Sequence, residues 1–417
     1  MIWRRAAAIV VAFPAMGASQ NPNPMDSIRK LPGYRPAADT IQYLATSRIE
    51  RLVSPVERPL WLAYIARSRE LYARDTAAMN AELRAVGKHA MTRAPYVHAF
   101  SVEPWMTPRW FASDSARAMA EAILSFQAPN GGWSKHVEFA RPRRTGESYY
   151  GESADWEYIS TIDNGSTTEE IRFLDAINRA RPNAKYAEAI RRGVDYLLDS
   201  QMPTGCFPQV FPLAGSYHDA ATFNDDATVH ALTTLRDTYE GRLSATTLAQ
   251  QSRASIGLFK GLTCIFAAQV RDNGKRAAWG QQHDPLTLAP VSARTYELTS
   301  RTALESAGIL DFLMSFPGLA NGLVDAVYAG VDWLRASSIK GLAYEHYELR
   351  ADPNAPPIWG RLYEIGTNRV IMANRDGVKL YDWNSLTDRR SGYGWYTAAP
   401  AHTLATFEQW SRSHPRP

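Results

Sequence analysis

The chain has 417 residues, 45% of them hydrophobic, and a formal charge of +4. That is enough to bury a large core in one domain or two tightly packed ones, and too near neutral to support nucleic-acid binding by overall charge. No segment is long and apolar enough to span a bilayer, and the two cysteines, Cys206 and Cys264, either form one disulfide or remain buried thiols.

The N-terminal residues place Arg4 and Arg5 before the apolar stretch Ala6 to Ala12, and the small residues Gly17, Ala18 and Ser19 follow. This is the order of a secretory signal peptide. Residues 1–20 are expected to be removed and the mature protein to be secreted or periplasmic. Prolines crowd 21–60, so 21–114 is expected to be a lead-in of loops and helices packed on a catalytic domain, 115–417. Apolar residues recur at helical spacing around 61–87, 115–127, 166–180, 184–200, 227–240, 244–270, 301–316 and 321–336. Alternating β-branched runs are few, and the fold is predicted to be mostly α.

Repetition refines that prediction. Gln127 to Trp133 and Gln201 to Phe207 share a Q-x-x-x-G-x-aromatic pattern after a predicted helix, with a looser copy from Gln269 through Gly274 to Trp279. Gly193-Val194-Asp195-Tyr196-Leu197 returns as Gly330-Val331-Asp332-Trp333-Leu334. Helix, glycine turn with an anchoring aromatic, long loop, next helix: this order implies antiparallel helix hairpins arranged as an (α/α) toroid.

Two acidic loops, T-I-D-N at 161–164 and F-N-D-D at 223–226, each precede an amphipathic helix. Ser166 and Glu169 fit a capping box for the first helix, and Asp226 fits the N-cap of the second. Asp163 and Asp225 then lie outside the caps and are expected to meet at the toroid end where the inner helices begin. The plainer reading is that both are ordinary helix-start acids. Among basic residues, Arg294 lies just before a predicted helix, and Arg369 and Arg375 lie in loops rich in turn residues. An arginine fork suits carboxylate recognition, but Glu297 and Glu364 are also near enough to pair with them. Lys135 is a further candidate for anion contact, and His283 either faces substrate hydroxyls or is satisfied by Asp284. Trp133 is more typical of a core aromatic than of a sugar platform. Zinc-type Cys/His spacing, a Walker loop and a dinucleotide fingerprint are missing from the sequence.

Taken together, GGWSK (131–135), TIDNGSTTEEIRFL (161–174), GVDYLLDSQMPTGCFPQVFP (193–212), TFNDDA (222–227), AAWGQQHDPLTLAPVSARTYELTS (277–300), YEIGTNR with NRDG (363–377) and RRSGYGWY (389–396) resemble the family 10 polysaccharide lyases. These are pectate lyases with an (α/α) toroid fold. The resemblance runs from about 120 to 400 in correct order and spacing. Ser134, Gly280 and Val370 depart from the residues usual in that family, and none of the three changes a charged group.

The resemblance implies β-elimination on polygalacturonate with Ca²⁺ as cofactor, the metal held by Asp163 and Asp225. It also implies Arg294 as a carboxylate ligand and Arg369 as the base, with Arg375 or Arg389 as alternatives. Lys135, Asn224, His283, Arg375 and Arg389 complete the expected substrate contacts. The chemistry is consistent with those residue types. A C5 proton beside an ionised carboxylate is barely acidic until that carboxylate is neutralised, which a hard cation and arginines do. An acidic polysaccharide is the expected partner, with no nucleic acid and no membrane, and the protein is expected to be a monomer. Two readings compete: a uronate hydrolase using Asp163 and Asp225 as acid and base, and a non-catalytic uronate-binding protein on the same fold.

Overall fold

The structure, a computed structural model, describes residues 43–152, 160–272 and 274–417. The expected signal peptide and the start of the lead-in lie outside the described residues. Helices α1 (Thr46–Leu52), α2 (Arg58–Ala85) and α3 (Pro108–Phe111) form the lead-in. They are followed by α4 (Asp114–Ser125), α5 (Thr168–Ala180), α6 (Ala184–Ser200), α7 (Ala227–Tyr239), α8 (Leu248–Ala268), α9 (Ala303–Met314), α10 (Asn321–Ala336) and α11 (Pro400–Trp410). Helix pairs α5 with α6, α7 with α8 and α9 with α10 pack as hairpins, and α4 and α11 close onto α5 and α9. This is an (α/α) toroid, as the repeats predict. One core, running from Ile49 to Trp410, joins the lead-in to the ring.

The repeated turns have a shared hydrogen-bond logic. The amide of Gln127 donates to the carbonyls of Gly131 and Ala189 at 2.8 and 2.9 Å. Gln201 does the same to Gly205 and Gly257, and Gln269 to Ala277 and Ala326. Each glutamine thus ties its own turn to the next outer helix, satisfying two buried carbonyls. The aromatic that follows is anchored backwards, with Trp133 Nε1 donating to Ile123 and Trp279 Nε1 to Ile265. Trp359 makes the same bond to Leu334, a further copy hidden in the sequence. Gly131 is required because a Cβ there would stand 2.5 Å from the Arg192 carbonyl.

Cys206 and Cys264 form a disulfide, Cα to Cα 5.4 Å, pinning the turn after α6 to α8. Periodicity in the sequence does not reveal the C-terminal strand-rich layer. There Arg301–Thr302, Leu362–Tyr363, Val370–Ala373 and Lys379–Leu380 form a four-stranded antiparallel sheet. Its strands are only two to four residues long, too short for alternation to register. Its own core gathers Leu362, Ile371, Trp383, Tyr393 and Trp395, and this layer stands over the end of the ring where the inner helices begin.

Candidate active site

The two acidic loops are structural equivalents. Thr161 N–H donates to the Trp133 carbonyl and Thr222 N–H to that of Phe207, both at 2.9 Å. Two residues on, the N–H of Asp163 donates to Thr161 Oγ1 and that of Asn224 to Thr222 Oγ1. Asn164 and Asp225 follow with φ of 52° and 48°, left-handed positions that Asn and Asp tolerate better than most residues. Asp163 therefore corresponds to Asn224, and Asp225 to Asn164, so the loops match while their acids sit one residue out of step. The anticipated caps differ from those observed. Helix α5 starts at Thr168 without a side-chain cap, Glu169 instead accepts from Val102 N–H, and Asp226 occupies the N-cap of α7 without capping it.

Both loops open into a cleft of about 530 Å³ whose walls carry Lys135, Asp163, Asn224, Asp225, Arg294 and Arg389. Lys135 Nζ donates to Asp163 Oδ2, while Asp163 Oδ1 is buried with no hydrogen-bond partner among the described residues. Burial works against the Asp163 charge, and Lys135, with smaller help from a Gln209 hydrogen bond and the His218 charge, overrides it, bringing the carboxyl down to about 2. Asp225 accepts from Asn224 Nδ2 at 2.7 Å and from Arg361 Nη2 at 3.0 Å. Burial nonetheless raises its pKa, the Arg361 charge opposing and Asp163 reinforcing the shift. Asn224 lines the cleft, and its amide orients Asp225 while accepting from Gln281.

Arg361 is a cleft residue that the sequence reading does not single out. Its side chain, 9% exposed, bridges Asp225 and Glu305 and lies 4.6 Å from the centre of the Tyr393 ring. The signal was present: Arg361-Leu362-Tyr363-Glu364 repeats the R-x-Y-E of Arg294-Thr295-Tyr296-Glu297. Arg294 does pair with Glu297, its Nε donating at 2.7 Å, and the side chain remains 38% exposed in the cleft. Burial would favour the neutral form of Arg294, but the Glu297 carboxylate holds it firmly protonated. Arg389 packs 4.6 Å over the Tyr296 ring and donates to its hydroxyl and to the Gly392 carbonyl.

Three expected residues are placed elsewhere. His283 is fully buried, with Nδ1 on the Leu288 carbonyl and Nε2 accepting from Gly280 N–H. Its partners are backbone, and Asp284 is engaged by Arg48 instead. Arg369 is exposed, its guanidinium 3.7 Å over the Tyr381 ring. The register pairs Tyr363 with Val370, which puts Arg361 at the cleft end of that ladder and Arg369 at the loop end. Arg375 is held by Asp388 outside the cleft lining.

Oxygen donors at Asp163 and Asp225 suit a hard cation, and the unpartnered Oδ1 of Asp163 is a ready ligand. Two carboxylates make an incomplete shell, with sites left for substrate or water. No group of three or more His, Cys, Asp or Glu side chains among the described residues forms a closed metal cage. No helix among them is long and apolar enough to cross a membrane.

Comparison with known proteins places the chain in a family. The family described as pectic acid lyase matches residues 127–404. A family 10 polysaccharide lyase from Cellvibrio cellulosa, solved as a variant in complex with trigalacturonic acid, is 33% identical with a TM-score of 0.65, covering 72% of this chain and 96% of its own. The same lyase solved separately is 31% identical at the same TM-score, covering 75% of this chain and 98% of its own. No curated protein matches the chain. With its ring, its paired acidic loops and these matches, the chain belongs to the pectic acid lyases of polysaccharide lyase family 10.

Proposed function

We propose that the protein cleaves α-1,4-linked polygalacturonate by calcium-assisted β-elimination. The observation that supports this most is the meeting of Asp163 and Asp225, from loops 62 positions apart in sequence, on one cleft wall beside Arg294, Arg361 and Arg389. Acids alone would suit a hydrolase. Arginines gathered with them suit a polyanion whose carboxylate must be neutralised before its neighbouring proton can leave. That a relative was solved with trigalacturonic acid favours the same substrate class.

Asp163 and Asp225 would hold calcium together with a uronate carboxylate, and the bound ion would draw charge from that carboxylate, making the adjacent C5 proton removable. Arg361, fixed by Glu305 and Asp225, adds positive charge at the Asp225 side. Arg389 offers a second guanidinium near Tyr296. For the proton acceptor we assign Arg294 in place of Arg369. The Glu297 pair uses its Nε and Nη2, leaving Nη1 without a hydrogen-bond partner among the described residues, on a side chain exposed to the cleft. An arginine accepts a proton only from its neutral form, which Glu297 makes scarcer still for Arg294, so turnover should climb steeply with pH. Export and a monomeric state fit a polymeric substrate that stays outside the cell.

Incubation with polygalacturonate under calcium tests the reading. Elimination leaves an unsaturated product that absorbs in the ultraviolet, whereas hydrolysis leaves only reducing ends. A hydrolase signature, or polymer binding without either product, would displace the lyase.

A further inference from the structure

The strands Leu342–Glu345 and Glu348–Ala351 form a hairpin whose last pair is Glu345 with Glu348, so only His346 and Tyr347 make the turn. Both have positive φ, 51° and 64°. This is the pattern of a type I′ turn, normally filled by Asn-Gly or Gly-Gly. For a residue with a Cβ the left-handed conformation is strained, and for a bulky aromatic it is uncommon. Burial does not offset that strain, because Tyr347 is 45% exposed.

The ring instead lines the cleft that holds Lys135, Asp163 and Asp225. The root of the hairpin is fixed by Tyr344, whose ring meets Trp383 edge-on at 5.7 Å and Tyr396 at 5.5 Å. A second ring, Tyr96, also 45% exposed, lines the same cleft. It comes from the lead-in, ahead of the span matched by the family.

We propose that Tyr347 is a substrate-binding residue that stacks on a uronate ring of the bound chain, and that Tyr96 supplies a second stacking face to the same polymer. A galacto-configured pyranose presents the hydrogens of C3, C4 and C5 on one face, an apolar patch suited to an aromatic ring, while its carboxylate remains free for the charged wall. The strained turn is retained because it carries an aromatic ring to a place where glycine would carry none. The inference rests on the polygalacturonate reading above.

The test uses a variant in which backbone and ring effects have opposite signs. His346→Asn combined with Tyr347→Gly gives the turn its preferred residues, so thermal stability should be unchanged or higher. Its KM for polygalacturonate should rise about three- to tenfold, with kcat at saturation nearly unchanged. Tyr347→Phe should keep the wild-type KM, and Tyr96→Ala should raise it. Calorimetric binding of trigalacturonate to the same variants gives a readout independent of turnover. A double variant with wild-type KM and wild-type trigalacturonate affinity overturns the inference while leaving the lyase reading intact. Wild-type protein that neither cleaves polygalacturonate nor binds trigalacturonate overturns both.

Discussion

Lys135 donates to one oxygen of the Asp163 carboxylate, and the other is buried without a hydrogen-bond partner among the described residues. The pair thus keeps Asp163 ionised and leaves one oxygen for a cation. Because burial alone would raise that carboxyl and Lys135 brings it down to about 2, the charge is retained until the solution is strongly acid. In Lys135→Met burial is opposed only by the smaller effects of the Gln209 hydrogen bond and the His218 charge. The acid limb of kcat/KM, measured at saturating calcium, should move to higher pH, and an unmoved limb would show that Lys135 does not set the Asp163 charge.

Asp225 is the acid to remove when testing the metal. It is partly exposed, at 35% of its side chain, so Asp225→Asn should fold normally. Calcium affinity measured with polygalacturonate present should fall, and activity should drop about 100-fold or more. Full activity at wild-type calcium levels would remove Asp225 from the metal site.

The arginine assignments separate cleanly. Arg294→Lys should lower kcat by about 100-fold or more with little change in thermal midpoint, since the lysine keeps a charge for Glu297 but loses the guanidinium edge. Arg369→Ala should leave kcat unchanged, because its guanidinium lies on Tyr381 outside the cleft. The reverse pattern would return the base to Arg369.

The helices and the pairing of the acidic loops were legible because each rests on local signals: 3.6-residue spacing, glycine turns and a repeated glutamine. The positions of Arg361 and Arg369 were not, since they depend on the register of strands only two to four residues long. Both arginines sit in one YE-containing segment, and only the pairing of Tyr363 with Val370 decides which reaches the acids. His283 was misread for a related reason. The carbonyl of Leu288 and the N–H of Gly280 that satisfy it belong to a loop whose shape no periodicity encodes. The R-x-Y-E repeat at Arg294 and Arg361 was the missed clue.

Stability should fall toward the alkaline range in which the chemistry runs fastest. Glu170 is buried, and desolvation raises its carboxyl from an ordinary 4.5 to about 8. A raised acid contributes stability below its unfolded pKa and loses it as pH rises through the folded one. Glu170→Gln should therefore raise the thermal midpoint at pH about 9 relative to wild type and change it far less near pH 5. Equal effects at both pH values would mean that Glu170 is ionised in the folded protein.

The most direct measurement follows the ultraviolet absorbance of polygalacturonate incubated with the protein across pH, with calcium and then with a chelator. Absorbance from unsaturated ends should appear, grow faster under alkaline conditions and cease on chelation. New reducing ends without absorbance, or a rate indifferent to chelator and greatest in mild acid, would contradict cation-assisted elimination in this cleft.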